Sequence, residues 1–92
     1  MPKLEITQSH NVTADEAKKR IDELNSKLGS EYGLTSKWHS PTEAKVERTG
    51  ATGNIKIEAS RVVVNLDLSF ALTPVKGKIE NKIKDELKKL FG

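Results

Sequence analysis

The chain has 92 residues, 35% of them hydrophobic and 32% charged, so we expect one domain spanning residues 1–92. It contains no cysteine and no apolar run of about 18 residues, which excludes disulfides, cysteine-based sites and a membrane-spanning helix. The formal net charge is +3, and six lysines against three acids in residues 76–89 account for it, which indicates one basic element. The first residues lack the apolar stretch of a secretory signal, which predicts a cytoplasmic protein.

The N-terminal third is predicted to form a strand followed by a helix. Residues 3–9 alternate between apolar and polar side chains, and a period of two is typical of a strand. A capping box predicts a helix over 13–30, in which Thr13 accepts the backbone N–H of Glu16 and Glu16 reaches back to Thr13. The apolar face of this helix is predicted to consist of Ala17, Ile21, Leu24 and Leu28.

Four further strands are predicted from the same alternation, and short turns separate them. The turns are expected at 40–42, at 49–53 and at 59–61, where serine, proline, glycine or threonine interrupt the pattern. Strands joined by such short connections pair antiparallel with their neighbours in sequence. The predicted strands span 34–39, 43–49, 54–59 and 62–70.

The last strand is the candidate central strand, because it has the longest one-sided apolar row. A second helix is predicted to begin at Thr73 and Pro74, since threonine is a good N-cap and proline is favoured at the first helical position. The row of the last strand, which we expect to face the helices, consists of Val62, Val64, Leu66, Leu68 and Phe70.

These elements together predict an α+β fold. Strands with one apolar face need a cover, and two amphipathic helices can supply it on that face. We therefore expect a single antiparallel β-sheet of about five strands, in the order β-α-β-β-β-β-α, with two amphipathic helices packed on one face. The pattern leaves the order of the strands within the sheet open.

No arrangement of residues indicates catalysis. His10 and His39 lack metal-binding spacing and are expected to be solvated residues at strand ends. The acidic pairs Asp15-Glu16 and Asp85-Glu86 are expected to be helix caps and solvated charges, because an acid–base pair needs an apolar cleft. The sequence therefore predicts no catalytic residue, no metal site and no cofactor, and an enzyme is the least favoured class of function.

The basic second helix is the main candidate for a binding surface. Its lysines are either a solvated helix face or a surface for an anionic partner, such as a lipid or polymer interface. Nucleic acid is disfavoured, because the chain has three arginines and no run of stacking aromatic residues. Trp38 is a weaker binding candidate, with packing at the sheet edge as the alternative. The candidate lysines are Lys78, Lys84, Lys88 and Lys89.

A series of short motifs extends over nearly the whole chain. In order they are Tyr32-Gly33-Leu34 with Trp38, Arg48-Thr49-Gly50 with Gly53, Leu68 to Leu72, Pro74 to Glu80, and Ile83, Leu87 and Phe91. In this order and spacing the chain resembles the polyhydroxyalkanoic acid system family, small bacterial proteins linked to the gene region of polyhydroxyalkanoate granules. Ser69 stands where the family is expected to have glycine, and Ala71 where it favours a larger apolar residue.

The resemblance implies a function without established catalytic residues. It implies a non-enzymatic accessory protein of polyhydroxyalkanoate storage, binding the granule surface, a granule protein or a hydroxyacyl chain. The residues leave two alternatives open, namely an apolar-ligand module with a pocket between sheet and C-terminal helix, and a nucleic-acid binder. An affinity that rises with acyl-chain length would favour the pocket, and a strongly salt-dependent affinity would favour nucleic acid.

Overall fold

The computed structural model describes residues 3–92 and confirms the predicted α+β architecture. Five strands and two α-helices follow one another in the predicted order. A short 3-10 helix, Phe70–Val75, precedes the second α-helix. The strands are β1 (Lys3–Ser9), β2 (Thr35–Ser40), β3 (Glu43–Arg48), β4 (Ala51–Ile57) and β5 (Arg61–Leu68), and the helices are α1 (Ala14–Tyr32) and α2 (Lys76–Phe91).

The five strands form one antiparallel sheet in the order β1-β5-β4-β3-β2, so β1 and β2 are its edges. Helix α1 contacts β2 and β4, whereas α2 contacts β1. The two helices therefore lie side by side over one face of the sheet. The residues between the sheet and the helices are buried, among them Leu4, Ile21, Leu24, Ile55, Val64, Leu68, Ile83 and Leu87.

Helix α1 begins and ends with side-chain and glycine caps. The Oγ1 atom of Thr13 accepts the backbone N–H of Glu16 at 3.2 Å, as predicted. The carboxylate of Glu16 binds Arg20 at 3.2 Å instead of reaching back to Thr13, so one half of the predicted capping box forms. At the other end, Gly33 has φ 71° and donates its N–H to Gly29, which is the left-handed cap that glycine favours.

The prediction that Phe70 continues the apolar row of β5 is wrong. The other four residues of that row are at most 3% exposed, but the side chain of Phe70 is 75% exposed. Strand β5 ends at Leu68, and the backbone N–H of Ser69 then donates to the carbonyl of Gly50 at 2.8 Å. The chain continues as a 3-10 helix, in which a strand's period of two no longer decides which side chains are buried.

The second helix begins later than Thr73 and Pro74, where the sequence placed its start. Both residues lie within the 3-10 helix, and α2 starts at Lys76 after Val75, whose side chain makes no capping hydrogen bond. The predicted N-cap role of Thr73 is therefore wrong.

The predicted turn at 49–53 is shorter than expected. The observed turn occupies its first two residues, and Gly50 has φ 86°, a conformation that side chains disfavour. Gly53 lies inside β4, not in the turn. A Cβ atom on Gly53 would overlap the backbone oxygen of Asn65 and lie 2.7 Å from Cδ2 of Leu66, so glycine permits a close approach of β4 and β5.

His10 is a buried structural residue, not the solvated residue predicted, and is 8% exposed. Its Nε2–H donates to the carbonyl of Glu58 at 2.8 Å, and its Nδ1 accepts the N–H of Val12 at 3.3 Å. Its ring centroid lies 5.6 Å from that of Phe91. His10 thus ties the end of β1 to the β4–β5 connection and to α2, whereas His39 is exposed as predicted.

Candidate functional site

The face of the sheet that the helices leave uncovered is polar. Along each strand, the side chains of this face alternate with the buried side chains. Among the residues of the described strands, Val63 has the one apolar side chain on this face. One cleft on this face, which we call the polar cleft, has a volume of about 390 Å³. It is lined by His39, Glu43, Lys45, Thr52, Gly53, Asn54, Asn65 and Asp67.

A ladder of side-chain hydrogen bonds crosses the polar cleft. Asn54 donates from Nδ2 to Oε2 of Glu43 at 3.0 Å, and Asn65 donates from Nδ2 to Oδ1 of Asn54 at 3.4 Å. The two asparagines face each other on β4 and β5 and are half-buried. Each amide retains a further N–H for a ligand, because an asparagine side chain has two amide hydrogens.

Within residues 3–92, apolar side chains of α2 pack against the sheet along the buried face of the helix. Ile79, Ile83 and Leu87 of α2 are at most 9% exposed and pack into the core. The geometry therefore does not support an apolar-ligand pocket at that position.

A second feature is the exposed apolar segment, which we define as the 3-10 helix Phe70–Val75. Phe70 is 75% exposed and Val75 is 38% exposed. Leu72 is half-buried and packs against the core, and its N–H donates to the carbonyl of Ser69 at 3.0 Å. The segment is therefore held by Leu72 while Phe70 projects into solvent.

The candidate lysines of α2 lie on its exposed side, but they do not form one stripe. An α-helix turns by about 100° per residue, so Lys84 and Lys88 lie about 40° apart on one flank. The same geometry places Lys78 and Lys89 on the other flank, with Asp85 between the two pairs. Lys78, which comes in the first turn of α2, is the candidate lysine nearest in sequence to the exposed apolar segment.

The pair Asp85-Glu86 was predicted to be solvated, and for Glu86 this is wrong. Its side chain is 3% exposed and contacts Lys27 at 2.7 Å, Lys82 at 3.3 Å and Lys89 at 3.7 Å. The hydrogen bond from Lys27, with a further one from Lys82, holds the pKa of Glu86 below its ordinary value against the effect of burial. Lys89 therefore takes part in an internal ion pair, whereas Lys84 and Lys88 form none within residues 3–92.

Trp38 lies far from these lysines within the fold. It is half-buried on β2, and its Nε1–H donates to Oδ1 of Asp22 on α1 at 2.8 Å. The ammonium of Lys18 lies 5.2 Å from the centroid of the indole ring. Because β2 and β1 are opposite edges of the sheet and α2 contacts β1, the structure does not bring Trp38 and the lysines of α2 together.

Sequence reasoning did not identify the exposed apolar segment as a candidate site. Phe70 was assigned to the core because the alternation of β5 was extended two residues beyond the end of the strand. A signal was present nonetheless, since Pro74 and the successive apolar residues Phe70, Ala71 and Leu72 do not fit the alternation. Such a break indicates that the chain leaves the sheet.

Within residues 3–92, no three histidine, aspartate or glutamate side chains come together as a set of metal ligands. Neither of the two helices is both long enough and apolar enough to cross a membrane.

The fold and surface define a small α+β protein with one uncovered polar sheet face and an exposed apolar segment before a lysine-rich helix. The chain belongs to the family described as "Putative polyhydroxyalkanoic acid system protein", whose sequence model matches residues 4–91. This match confirms the resemblance noted in the sequence.

The chain is also similar to PA4090 from Pseudomonas aeruginosa, whose structure was determined by NMR. The TM-score is 0.63 over 98% of this chain and 84% of that one. The two sequences are 11% identical, so the similarity concerns the fold alone. No curated protein matches the chain.

Proposed function

We propose that this protein is a non-enzymatic accessory protein of polyhydroxyalkanoate storage that binds the surface of the polyester granule in the cytoplasm. Membership of the polyhydroxyalkanoic acid system family supports the storage context. The observation that carries the proposal is the 75% exposure of Phe70 in the exposed apolar segment. Phe70 is grouped with the exposed apolar residues Ala71 and Val75 of the same short segment, and grouped exposed apolar side chains favour an interaction surface.

The apolar contact supplies the main part of the proposed affinity. Burying a phenylalanine side chain fully is worth about 1.5–3 kcal/mol, and each 1.4 kcal/mol changes an equilibrium constant about tenfold. Phe70 already exposes most of its surface in the free protein, so most of this gain is available on contact with a polyester surface. Val75, which is 38% exposed, adds a smaller contribution.

The lysines of α2 supply an electrostatic contribution beside the apolar contact. Polyester chains end in carboxylates, and a lysine near an anionic surface contributes about 1 kcal/mol. Lys78, Lys84 and Lys88 are exposed and make no ion pair within residues 3–92. These lysines therefore remain available to an anionic surface, and their contribution falls as salt screens it.

Sedimentation of the purified protein with isolated granules tests the apolar contact. Phe70→Ser should weaken binding about tenfold or more, because it removes the exposed aromatic surface. Phe70→Leu should retain most of the binding, because it keeps an apolar side chain. Since Phe70 is exposed, both variants should unfold at nearly the wild-type temperature, which separates loss of binding from loss of folding. If Phe70→Ser sediments with granules as wild type does, the proposal is wrong.

A double variant, Lys84→Gln with Lys88→Gln, tests the electrostatic part. Its binding should be weaker than wild type at low salt and should depend less on salt. Lys19→Gln is the matched control, because Lys19 is an exposed lysine of α1 without an ion pair in the described chain. Loss of DNA binding in the double variant, with granule binding unchanged, would favour the nucleic-acid alternative instead.

A further inference from the structure

Two lysines oppose each other on the uncovered face of the sheet. Lys37 of β2 and Lys45 of β3 are direct partners in the antiparallel register, and their side chains share the polar face. Like charges placed directly across a strand pair destabilise the sheet. A pair of this kind next to a cleft is therefore a place where a bound anion relieves repulsion.

The charges around this pair are not balanced by the protein itself. Lys45 contacts Oε1 of Glu47 at 2.8 Å, and this contact holds the pKa of the Glu47 carboxyl below its ordinary value. Lys37 has no ion pair within residues 3–92. The nearby Glu43 accepts a hydrogen bond from Asn54 on the adjoining ladder. The lining of the cleft that the two lysines share contains Lys37 and Lys45 against the single carboxylate of Glu47, because Glu43 belongs to the lining of the adjoining polar cleft.

The two lysines also share a cavity. A cleft of about 270 Å³ is lined by Thr35, Lys37, His39, Lys45 and Glu47. It shares His39 and Lys45 with the polar cleft, so the two clefts adjoin. We call the smaller one the β2–β3 corner.

We infer that the β2–β3 corner binds the oxyanion of a small polar acid, with the oxyanion between Lys37 and Lys45. Lysine ammonium groups each provide three donors and fit a carboxylate or a phosphate. The rest of the ligand lies along the polar cleft, where the free amide hydrogens of Asn54 and Asn65 donate to its hydroxyl or carbonyl oxygens. Neighbouring strands are about 4.8 Å apart, so the span from Lys45 to Asn65 covers about 10 Å, which suits a short hydroxy acid or its dimer.

This site is independent of the proposed granule contact. The exposed apolar segment follows the end of β5, which lies next to the edge strand β1. The β2–β3 corner lies at the other edge of the sheet, which is formed by β2. Phe70→Ser should therefore leave the binding of the acid unchanged. If the protein binds granules but not the acid, the acid site is wrong. If it binds the acid but not granules, the proposed granule contact is wrong.

Titration of the ¹⁵N-labelled protein, followed by its backbone amide signals, tests the inference. The probes are sodium acetate, sodium 3-hydroxybutyrate and sodium phosphate, each against sodium chloride at equal ionic strength. Saturable shifts should be confined to residues 35–39, 45–47 and the asparagine ladder. The methyl ester of 3-hydroxybutyrate should cause no such shifts, because it lacks the charged carboxylate. Tighter binding of phosphate assigns the oxyanion to a phosphorylated ligand, and tighter binding of 3-hydroxybutyrate assigns it to an organic acid.

Charge variants test whether the anion binds at the β2–β3 corner. Lys37→Gln should weaken binding of the better probe at least fivefold, and Lys37→Arg should retain most of it because the cation remains. Lys19→Gln, which removes an exposed lysine from α1, should bind as wild type does. Since Lys37 is exposed and opposes Lys45, its loss should not lower the unfolding temperature. Shifts that do not saturate, that equal those of chloride, or that persist in Lys37→Gln would overturn the inference.

Discussion

The carboxylate of Glu86 on α2 accepts a 2.7 Å hydrogen bond from Nζ of Lys27 on α1, and this contact joins the two helices. Lys82 adds a second ammonium at 3.3 Å and also contacts Glu31 of α1. The carboxylate is 3% exposed, so its charge depends on these partners in place of water. The buried Glu86 thus fixes the position of α2 on α1, while the exposed lysines of α2 remain available to a binding partner.

Glu86→Gln should lower the free energy of unfolding by roughly 1.5–3 kcal/mol, the range for hydrogen bonds to a charged group. Glutamine preserves the shape and one acceptor oxygen, so the loss reports the charge and not a cavity. Chemical denaturation at neutral pH measures the difference. Asp85→Asn, which removes an exposed charge next to it, should change stability by a few tenths of a kcal/mol. Equal effects of the two substitutions would contradict the structural role of Glu86.

The pH dependence of stability follows from the same carboxylate. Lys27 and then Lys82 lower the pKa of Glu86 in the folded protein from the ordinary value of 4.5. A lowered folded pKa gives stability that is complete above the unfolded pKa and is lost as the pH falls through the folded pKa. The stability gap between wild type and Glu86→Gln should therefore be widest above about pH 5 and should narrow on acidification. Denaturation curves at several pH values measure this gap, and a gap that widens at low pH would contradict the account.

The glycines of β4 and α2 should respond in opposite directions to alanine. Gly53→Ala should be strongly destabilising, because its Cβ atom would overlap the backbone of Asn65. Gly77→Ala should stabilise by about 0.5–1 kcal/mol, because Gly77 lies in the first turns of a helix with nothing within 4 Å of a new Cβ. Thermal unfolding of the two variants compares them directly. A mild effect at Gly53 would show that β4 and β5 are less close than described.

The two faces of β5 should differ in their sensitivity to truncation. Leu66 is 3% exposed in the core, so Leu66→Ala should cost roughly 2–5 kcal/mol. Asn65 is half-buried on the polar face with one long side-chain hydrogen bond, so Asn65→Ala should cost less than about 1 kcal/mol. Denaturant midpoints of the two variants test the register. Similar losses at both positions would indicate that the assignment of faces is wrong.

The elements that the sequence predicted correctly are those specified by local chemistry. The threonine cap at Thr13 and the alternation of Val62 to Leu68 depend on neighbouring residues, so a linear pattern contains them. Phe70 was misplaced because the end of β5 depends on a backbone contact with Gly50, which lies in a different hairpin. The burial of His10 has the same origin, since its partners Glu58 and Phe91 are distant in sequence.

The candidate sites show the same limit. The composition of the sequence placed the basic element in α2. The ion pair between Lys89 and Glu86, however, follows from how α2 packs on α1. The opposition of Lys37 and Lys45 requires the register of β2 on β3, which the lengths of the predicted strands did not fix. Sequence therefore identified the type of surface, and the pairing of strands and helices decided which residues remain available.

Fractionation of cells that accumulate polyhydroxyalkanoate measures whether the protein binds granules through Phe70. Granules are separated by centrifugation, and the share of the protein that sediments with them is measured for wild type, Phe70→Ser and Phe70→Leu at equal expression. Wild type and Phe70→Leu should be enriched on granules, and Phe70→Ser should remain mostly in the supernatant. Wild-type protein that stays in the supernatant of granule-bearing cells, or Phe70→Ser that sediments as wild type does, would contradict the proposed granule contact.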